Sequence, residues 1–242
     1  MYFLSKLCPV IASGNSSRLS WPIGRSILRT KKGIMLEIVN ERCYVLHNEL
    51  NGGILIMSQK KVLTLWSETG INEGEVAVLR KKSKELPVPL DKEALLAVEA
   101  LKDSFLARDD ASGLAAPQIG INKRIIAFRT RGFGEKEKIK NTDDYEILIN
   151  PRITQARGEK IAMAEGCLSC PDIQVEVSRF PEIKIRALNS KGEKISKRYL
   201  DYVARVIQHE IDHLDGKLIV DYEGNIYYPK NKELFFSKIF QD

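Results

Sequence analysis

Beyond residue 57 the hydrophobic positions fall into short runs separated by turn residues, interrupted by two stretches at helical spacing. Lys61–Trp66 and Glu75–Leu79 read as extended segments, closed by Pro87-Val88-Pro89. Asp91 is placed to cap a helix whose Leu95, Leu96, Val98, Leu101, Phe105 and Leu106 lie mainly at intervals of three and four, ending near Arg108-Asp109-Asp110. A loop, Gly113–Gly120, leads into a strand at Arg124–Thr130. A polar excursion, Arg131–Asp144, follows, then a strand at Tyr145–Asn150 that Pro151 is expected to stop. Strands near Gln174–Ser178 and Glu182–Leu188 come next, and Asn189-Ser190-Lys191-Gly192 turns the chain into Glu193–Lys197. Tyr199–Leu214 has the second helical pattern and stops before Gly216; Lys217–Tyr222 reads as a short strand and Glu233–Phe240 as a terminal helical turn or two. The pattern predicts an α+β domain with mixed, mainly antiparallel β-sheets packed around one central helix.

The first 56 residues do not share this pattern. They hold seven Lys/Arg and three Asp/Glu, with no acidic residue before Glu37, and serines are scattered among the basic positions. Three readings are open. Basic, serine-bearing and acid-poor is the composition of a transit-type targeting segment. Alternatively Met57 is the true start, with Gly52-Gly53 the translation of a purine-rich ribosome-binding site in a bacterial gene; this reading is favoured. The third is a structural extension. The expected division is therefore an extension, 1–56, disordered or not native, and a catalytic domain with a short tail, 57–242. The chain's net charge of +6 is mostly carried by the extension, which leaves only +2 on the remainder. With no basic stripe and no run of eighteen apolar residues, neither direct nucleic-acid binding nor a membrane helix is expected. The location that fits is the bacterial cytoplasm, or an organelle if the extension is a transit peptide.

Two of the chain's three histidines fall in His209-Glu210-Ile211-Asp212-His213. Residues i and i+4 share one helix face, so His209 and His213 can grip one ion with Glu210 beside it as a general base for metal-assisted hydrolysis. Such a site needs a third ligand. Glu223 is possible but lies beyond the helix-ending Gly216, whereas a thiolate at Cys167 would complete a Cys-His-His set with an open fourth position for water. Cys167 is the choice, and it suits Fe(II) as well as Zn(II). Cys170 reads as a small buried hydrophobe or a fallback ligand, because a C-x-x-C redox pair would call for a thioredoxin-like βαβ setting that is not evident here.

Taken together, Gly113-Leu114-Ala115-Ala116-Pro117-Gln118-Ile119-Gly120, Glu165-Gly166-Cys167-Leu168-Ser169 and Gln208-His209-Glu210-Ile211-Asp212-His213-Leu214 closely resemble the three signature motifs of peptide deformylase. The resemblance spans roughly Ser58 to Tyr222. It implies removal of the formyl group from the formyl-methionine of newly made polypeptides, with release of formate. Water is the nucleophile, activated by an ion that is Fe(II), with Zn(II), Ni(II) or Co(II) substituting. It further implies that Gln118 and the Leu168 N–H donate to the oxyanion, and that the substrate adds as a strand beside Gly113. The methionine side chain is expected near Ser112, Tyr202, Arg205 and Val206. Ser112 departs from the Ile or Val usual in the family, which makes that wall smaller and more polar. Formyl-Met nascent peptides are the expected partners, with transient ribosome association plausible from the substrate.

Around these residues, Glu165 and Arg179 are candidates for a charge pair fixing the cysteine loop, and Asp212 and the loop near Tyr202 for orienting the histidines. Two other readings compete. A zincin-like metallopeptidase would use Glu223 as third ligand, and a non-catalytic metal-stabilised binding module would unfold without its ion and tolerate loss of Glu210.

Overall fold

The computed structural model describes residues 60–133, 139, 141–229 and 232–239, together with four strands between residues 16 and 48. The chain divides into two compact units, 1–59 and 60–242. In the first, β1 (Ser16–Ser20), β2 (Arg25–Thr30), β3 (Ile34–Val39) and β4 (Arg42–Asn48) pair in sequence order as an antiparallel meander. Cys8, Gly52, Gly53 and Met57, on which the readings of this segment turn, lie outside the described residues.

The second unit runs β5 (Trp66–Ser67), β6 (Gly70–Ile71), α1 (Glu73–Leu79), α2 (Lys92–Leu106), β7 (Gly113–Ala115), β8 (Ile125–Arg129) and β9 (Tyr145–Arg157). It continues through β10 (Ile161–Cys167), β11 (Cys170–Arg179), β12 (Glu182–Leu188), β13 (Lys194–Leu200), α3 (Asp201–Leu214), β14 (Ile226–Tyr227) and α4 (Lys232–Ile239). A five-stranded antiparallel sheet has the order β13-β12-β9-β8-β7, and a three-stranded one the order β10-β11-β14. The class is α+β, as the pattern predicts.

The larger sheet is covered on both faces. All five residues of β8 are buried, and they divide by parity. Ile125 and Ala127 pack with Leu101 and Phe105 of α2, while Ile126 and Phe128 pack with Ile207 and Ile211 of α3. The stretch 125–128 between the two helices is apolar at every position, and each buried Ile or Phe contributes roughly 1.5–3 kcal/mol; Arg129, at the strand's end, is buried with its Nε donating to the Ala111 carbonyl at 2.9 Å. A third cluster joins Leu79, Val175, Val177 and Leu218 behind the smaller sheet. Asp91 does cap α2, its Oδ1 accepting from Ala94 N at 2.7 Å.

Several boundaries differ from the sequence reading. Glu75–Leu79 is not extended but the body of α1: Glu73 and Glu75 lie in the first turn, and Val76 and Leu79, three apart, face the core. Pro151 does not stop β9. It lies just past the last β8 pair, Ile125↔Ile149, at an irregularity in the β12 pairing, where a missing N–H breaks no regular ladder. Asn150 (φ 52) sits beside it and exchanges two 2.9 Å side-chain bonds with the backbone of Leu86. The second helix starts at Asp201 rather than Tyr199, because β13 keeps its pairing with β12 through Leu200. Lys217–Tyr222 is no strand: Ile219–Asp221 forms a 3-10 turn closed by Leu218 N donating to Asp221 Oδ2 at 2.8 Å. Strands β10 and β14 had no counterpart in the reading, since Ile161 and Met163 of β10 remain exposed and its small residues give weak alternation.

Candidate active site

The three motifs meet because two backbone constraints fix their loops. After β7 the chain makes a 3-10 turn, Ala116–Ile119, that ends at Gly120 (φ 77), a left-handed position suited to glycine. Gln118 Oε1 accepts from Ala115 N at 2.9 Å, which turns Nε2 toward Ser169 Oγ (3.2 Å) and Cys167 Sγ (3.9 Å). Cys167 ends β10 at a register shift, and Leu168-Ser169 form the turn into β11. Both loops are held by one extended segment: Leu63 N donates to Gln118 O at 2.7 Å and Leu65 N to Ser169 O at 2.8 Å.

Helix α3 carries His209, Glu210 and His213. The ligand atoms of Cys167, His209 and His213 lie within 4.8 Å of one another, and Cys167 Sγ is 3.4 Å from His213 Nε2. Tetrahedral sites with bonds of about 2.3 Å to sulfur and about 2.0–2.1 Å to nitrogen set S···N near roughly 3.6 Å, so the spacing suits an ion. Burial pushes the Cys167 thiol up, so a cation is what would hold it as thiolate. Glu223 is exposed and is not a member of this group.

Glu165 is the centre of a buried network beneath the site. His209 Nδ1 lies 3.0 Å from Glu165 Oε2, which leaves the other ring nitrogen for the ligand cluster. Arg179 donates to both carboxylate oxygens (Nε at 3.0 Å, Nη2 at 2.8 Å), and Arg205 Nη1 adds a third bond at 2.6 Å. Burial alone would raise this carboxyl, but the bonds from His209 and Arg179 outweigh it and hold it down at about 2. The expected Glu165–Arg179 pair is present. Asp212 differs from expectation: its Oδ2 accepts from Arg179 Nη1 (2.6 Å) and Tyr222 OH (2.7 Å), so it braces the arginine while Glu165 orients His209.

Glu210 is 3% exposed, its Oε2 has no hydrogen-bond partner among the described residues, and burial pushes its pKa up to about 7 against the pull of His209 and Arg179. Gly113 lies against this side chain: a Cβ there would come 2.8 Å from Glu210 Cδ. A cavity of about 850 Å³ opens onto the cluster, lined by Gly113, Gln118, Cys167, Leu168, His209 and Glu210. Ser112, Tyr202, Arg205 and Val206 also line it. Tyr202 stacks edge-on with Phe133 at 4.7 Å, whereas the Arg205 guanidinium is turned away to Glu165 and to the Val177 carbonyl (2.8 Å). Ser169 stands in the second motif without an assigned role, and Tyr222 and the rim residues Arg108, Tyr227 and Tyr228 are not among the expected site residues. Ser169 comes here through the β10–β11 turn, Tyr227 through its pairing with Gln174, Tyr222 from the end of the 3-10 turn and Arg108 from just beyond α2, and none of these placements leaves a local signal.

The family model for polypeptide deformylase matches residues 69–226. The chain belongs to the polypeptide deformylase family. Peptide deformylase 2 of Rickettsia conorii is 37% identical over 170 residues, covering 69% of this chain and 84% of that protein. Peptide deformylase of Pseudothermotoga lettingae is 38% identical over 144 residues, 60% of this chain and 76% of that one. Among solved structures, the peptide deformylase of Thermotoga maritima aligns with a TM-score of 0.56 at 31% identity, covering 69% of this chain and 99% of that chain. Deformylases are metalloenzymes, and this enzyme has a three-residue group able to hold an ion.

Proposed function

We propose that this deformylase removes the formyl group from the N-terminal formyl-methionine of newly made polypeptides, using Fe(II) held by Cys167, His209 and His213. The observation that carries the assignment is the convergence of these ligand atoms, within 4.8 Å, beside Glu210 and the Gln118 amide on one cavity wall. The ion would supply Lewis acidity, activating water near neutral pH; Zn(II), Ni(II) or Co(II) would fit the same donors. Glu210, with its raised pKa, accepts the proton of the attacking water and delivers it to the departing amine. Gln118 Nε2 and the Leu168 N–H donate to the formyl oxygen as it gains charge. Glu165 holds the His209 ring in place for this work.

The peptide adds as a strand beside Gly113, with its methionine side chain against Ser112, Tyr202, Val206 and the aliphatic stem of Arg205. A solved relative from Acinetobacter baumannii, 25% identical with a TM-score of 0.56, is bound to Met-Ala-Ser, a peptide with the free methionine that this reaction leaves. Residues 57–242 form the catalytic domain and 1–56 stand outside the chemistry. Among the described residues no helix is long and apolar enough to cross a membrane. Action on nascent chains in the bacterial cytoplasm, with transient ribosome association, follows from the substrate.

The test is Glu210→Ala in anaerobically loaded protein, followed by metal content and formate release. Retained metal with turnover reduced about 10²–10⁴-fold is expected. Unchanged turnover would refute the base assignment.

A further inference from the structure

Cys170 has no part in the chemistry above, yet it lies directly opposite Cys167 in the β10–β11 register, across the two-residue turn Leu168-Ser169. Directly opposed residues of antiparallel strands point to one face with Cα atoms about 4.5–5.5 Å apart, inside the window of about 4.4–6.8 Å that disulfides occupy. Both side chains are buried thiols and both line the catalytic cavity, so a small oxidant entering it reaches the pair.

We propose that Cys167 and Cys170 form a reversible disulfide that switches the metal site off and protects its sulfur ligand. With the ion absent, Cys167, the more exposed of the two at 9% against 1%, attacks hydrogen peroxide through its minor thiolate form, slowly because burial favours the thiol. Its sulfur takes one oxygen as sulfenic acid, and the second oxygen leaves as water. The Cys170 sulfur then attacks the sulfenic sulfur; the S–S bond forms and a second water departs, so two thiols lose two electrons and peroxide gains them. The disulfide and a bound ion exclude each other, since each needs the Cys167 sulfur as its partner. Without Cys170 the sulfenic acid would meet further peroxide and pass to the sulfinic acid, which thiols do not reduce. Dithiothreitol reopens the disulfide by thiol exchange. This setting is a strand turn rather than the helix N-terminus of thioredoxin-like pairs, so the redox role does not require a βαβ unit.

The switch rests on Cys167 being a ligand, and the experiment separates the two claims. Full-length protein stripped with a chelator is treated with hydrogen peroxide, digested and mapped by mass, while a parallel sample is titrated with Co(II) and read by its thiolate absorption. The expected result is a peptide containing Cys167 and Cys170 that is two hydrogens lighter, Co(II) binding lost, and both reversed by dithiothreitol. Cys170→Val and Cys170→Ser should bind Co(II) before treatment but lose it irreversibly afterwards, with Cys167 carried to the sulfinic acid. Cys167 over-oxidised at the same rate in wild type and variants, or a disulfide drawn from Cys8 or Cys43 instead, would overturn the proposal. A Cys167–Cys170 disulfide that leaves Co(II) binding intact would overturn the switch and point to failure of the ligand assignment itself.

Discussion

At the scale of single residues, Gly113 shows how closely this site is built. Its missing Cβ makes room for the buried Glu210 side chain, whose Cδ would otherwise be met at 2.8 Å. Gly113→Ala should therefore displace the base rather than the ion. A shift near 1 Å in a reacting group costs about 10²-fold, so kcat should fall by about that factor with metal content unchanged. Formate release and metal analysis on the same sample check it; wild-type kcat would show that the contact is not critical. Roles such as this were legible in the sequence where residue chemistry and spacing sufficed: His209 and His213 on one helix face, Glu210 between them. The orienting partner of His209 was not. Glu165 lies forty-four positions away in sequence and reaches the ring only through the strand β10, so the nearer Asp212 looked like the natural candidate.

Elements are joined here by the Glu165 network as much as by apolar packing. Arg179 on β11 bridges Glu165 on β10 and Asp212 on α3, with Tyr222 closing the far side. Removing one partner of a buried pair leaves the other charges uncompensated, and costs of about 3–5 kcal/mol are usual. Arg179→Ala should lose stability of that order in urea unfolding, and should weaken metal retention because His209 loses its fixed carboxylate. A loss under about 1 kcal/mol would mean that Arg205 alone secures Glu165. Element identities were readable where the period was long and clean, as in α2 and α3. They failed where an element was short or its apolar residues few. Glu75–Leu79 has a run that suits strand or helix equally, and tertiary cover of Val76 and Leu79 decided it. Pro151 looked like a strand end because the sequence does not reveal which pairing side of β9 is open there.

On the scale of the whole molecule, the family match, residues 69–226, lies inside the second compact unit, 60–242. All three motifs and the cavity are contained in that unit. A protein starting at Met57 should therefore turn over substrate within about twofold of the full chain, with kcat/KM on a formylated tripeptide as the readout. A loss of tenfold or more, about 1.4 kcal/mol, would make the first unit part of the functional enzyme. Deformylation by the iron-loaded protein is tested directly by one further assay. Full-length protein, loaded anaerobically with Fe(II), is given formyl-Met-Ala-Ser, and formate is measured together with the freed amine. Equimolar formate and Met-Ala-Ser are expected, abolished by Cys167→Ala through loss of the metal. No formate from protein that holds its ion at Cys167, His209 and His213 would contradict the proposed function.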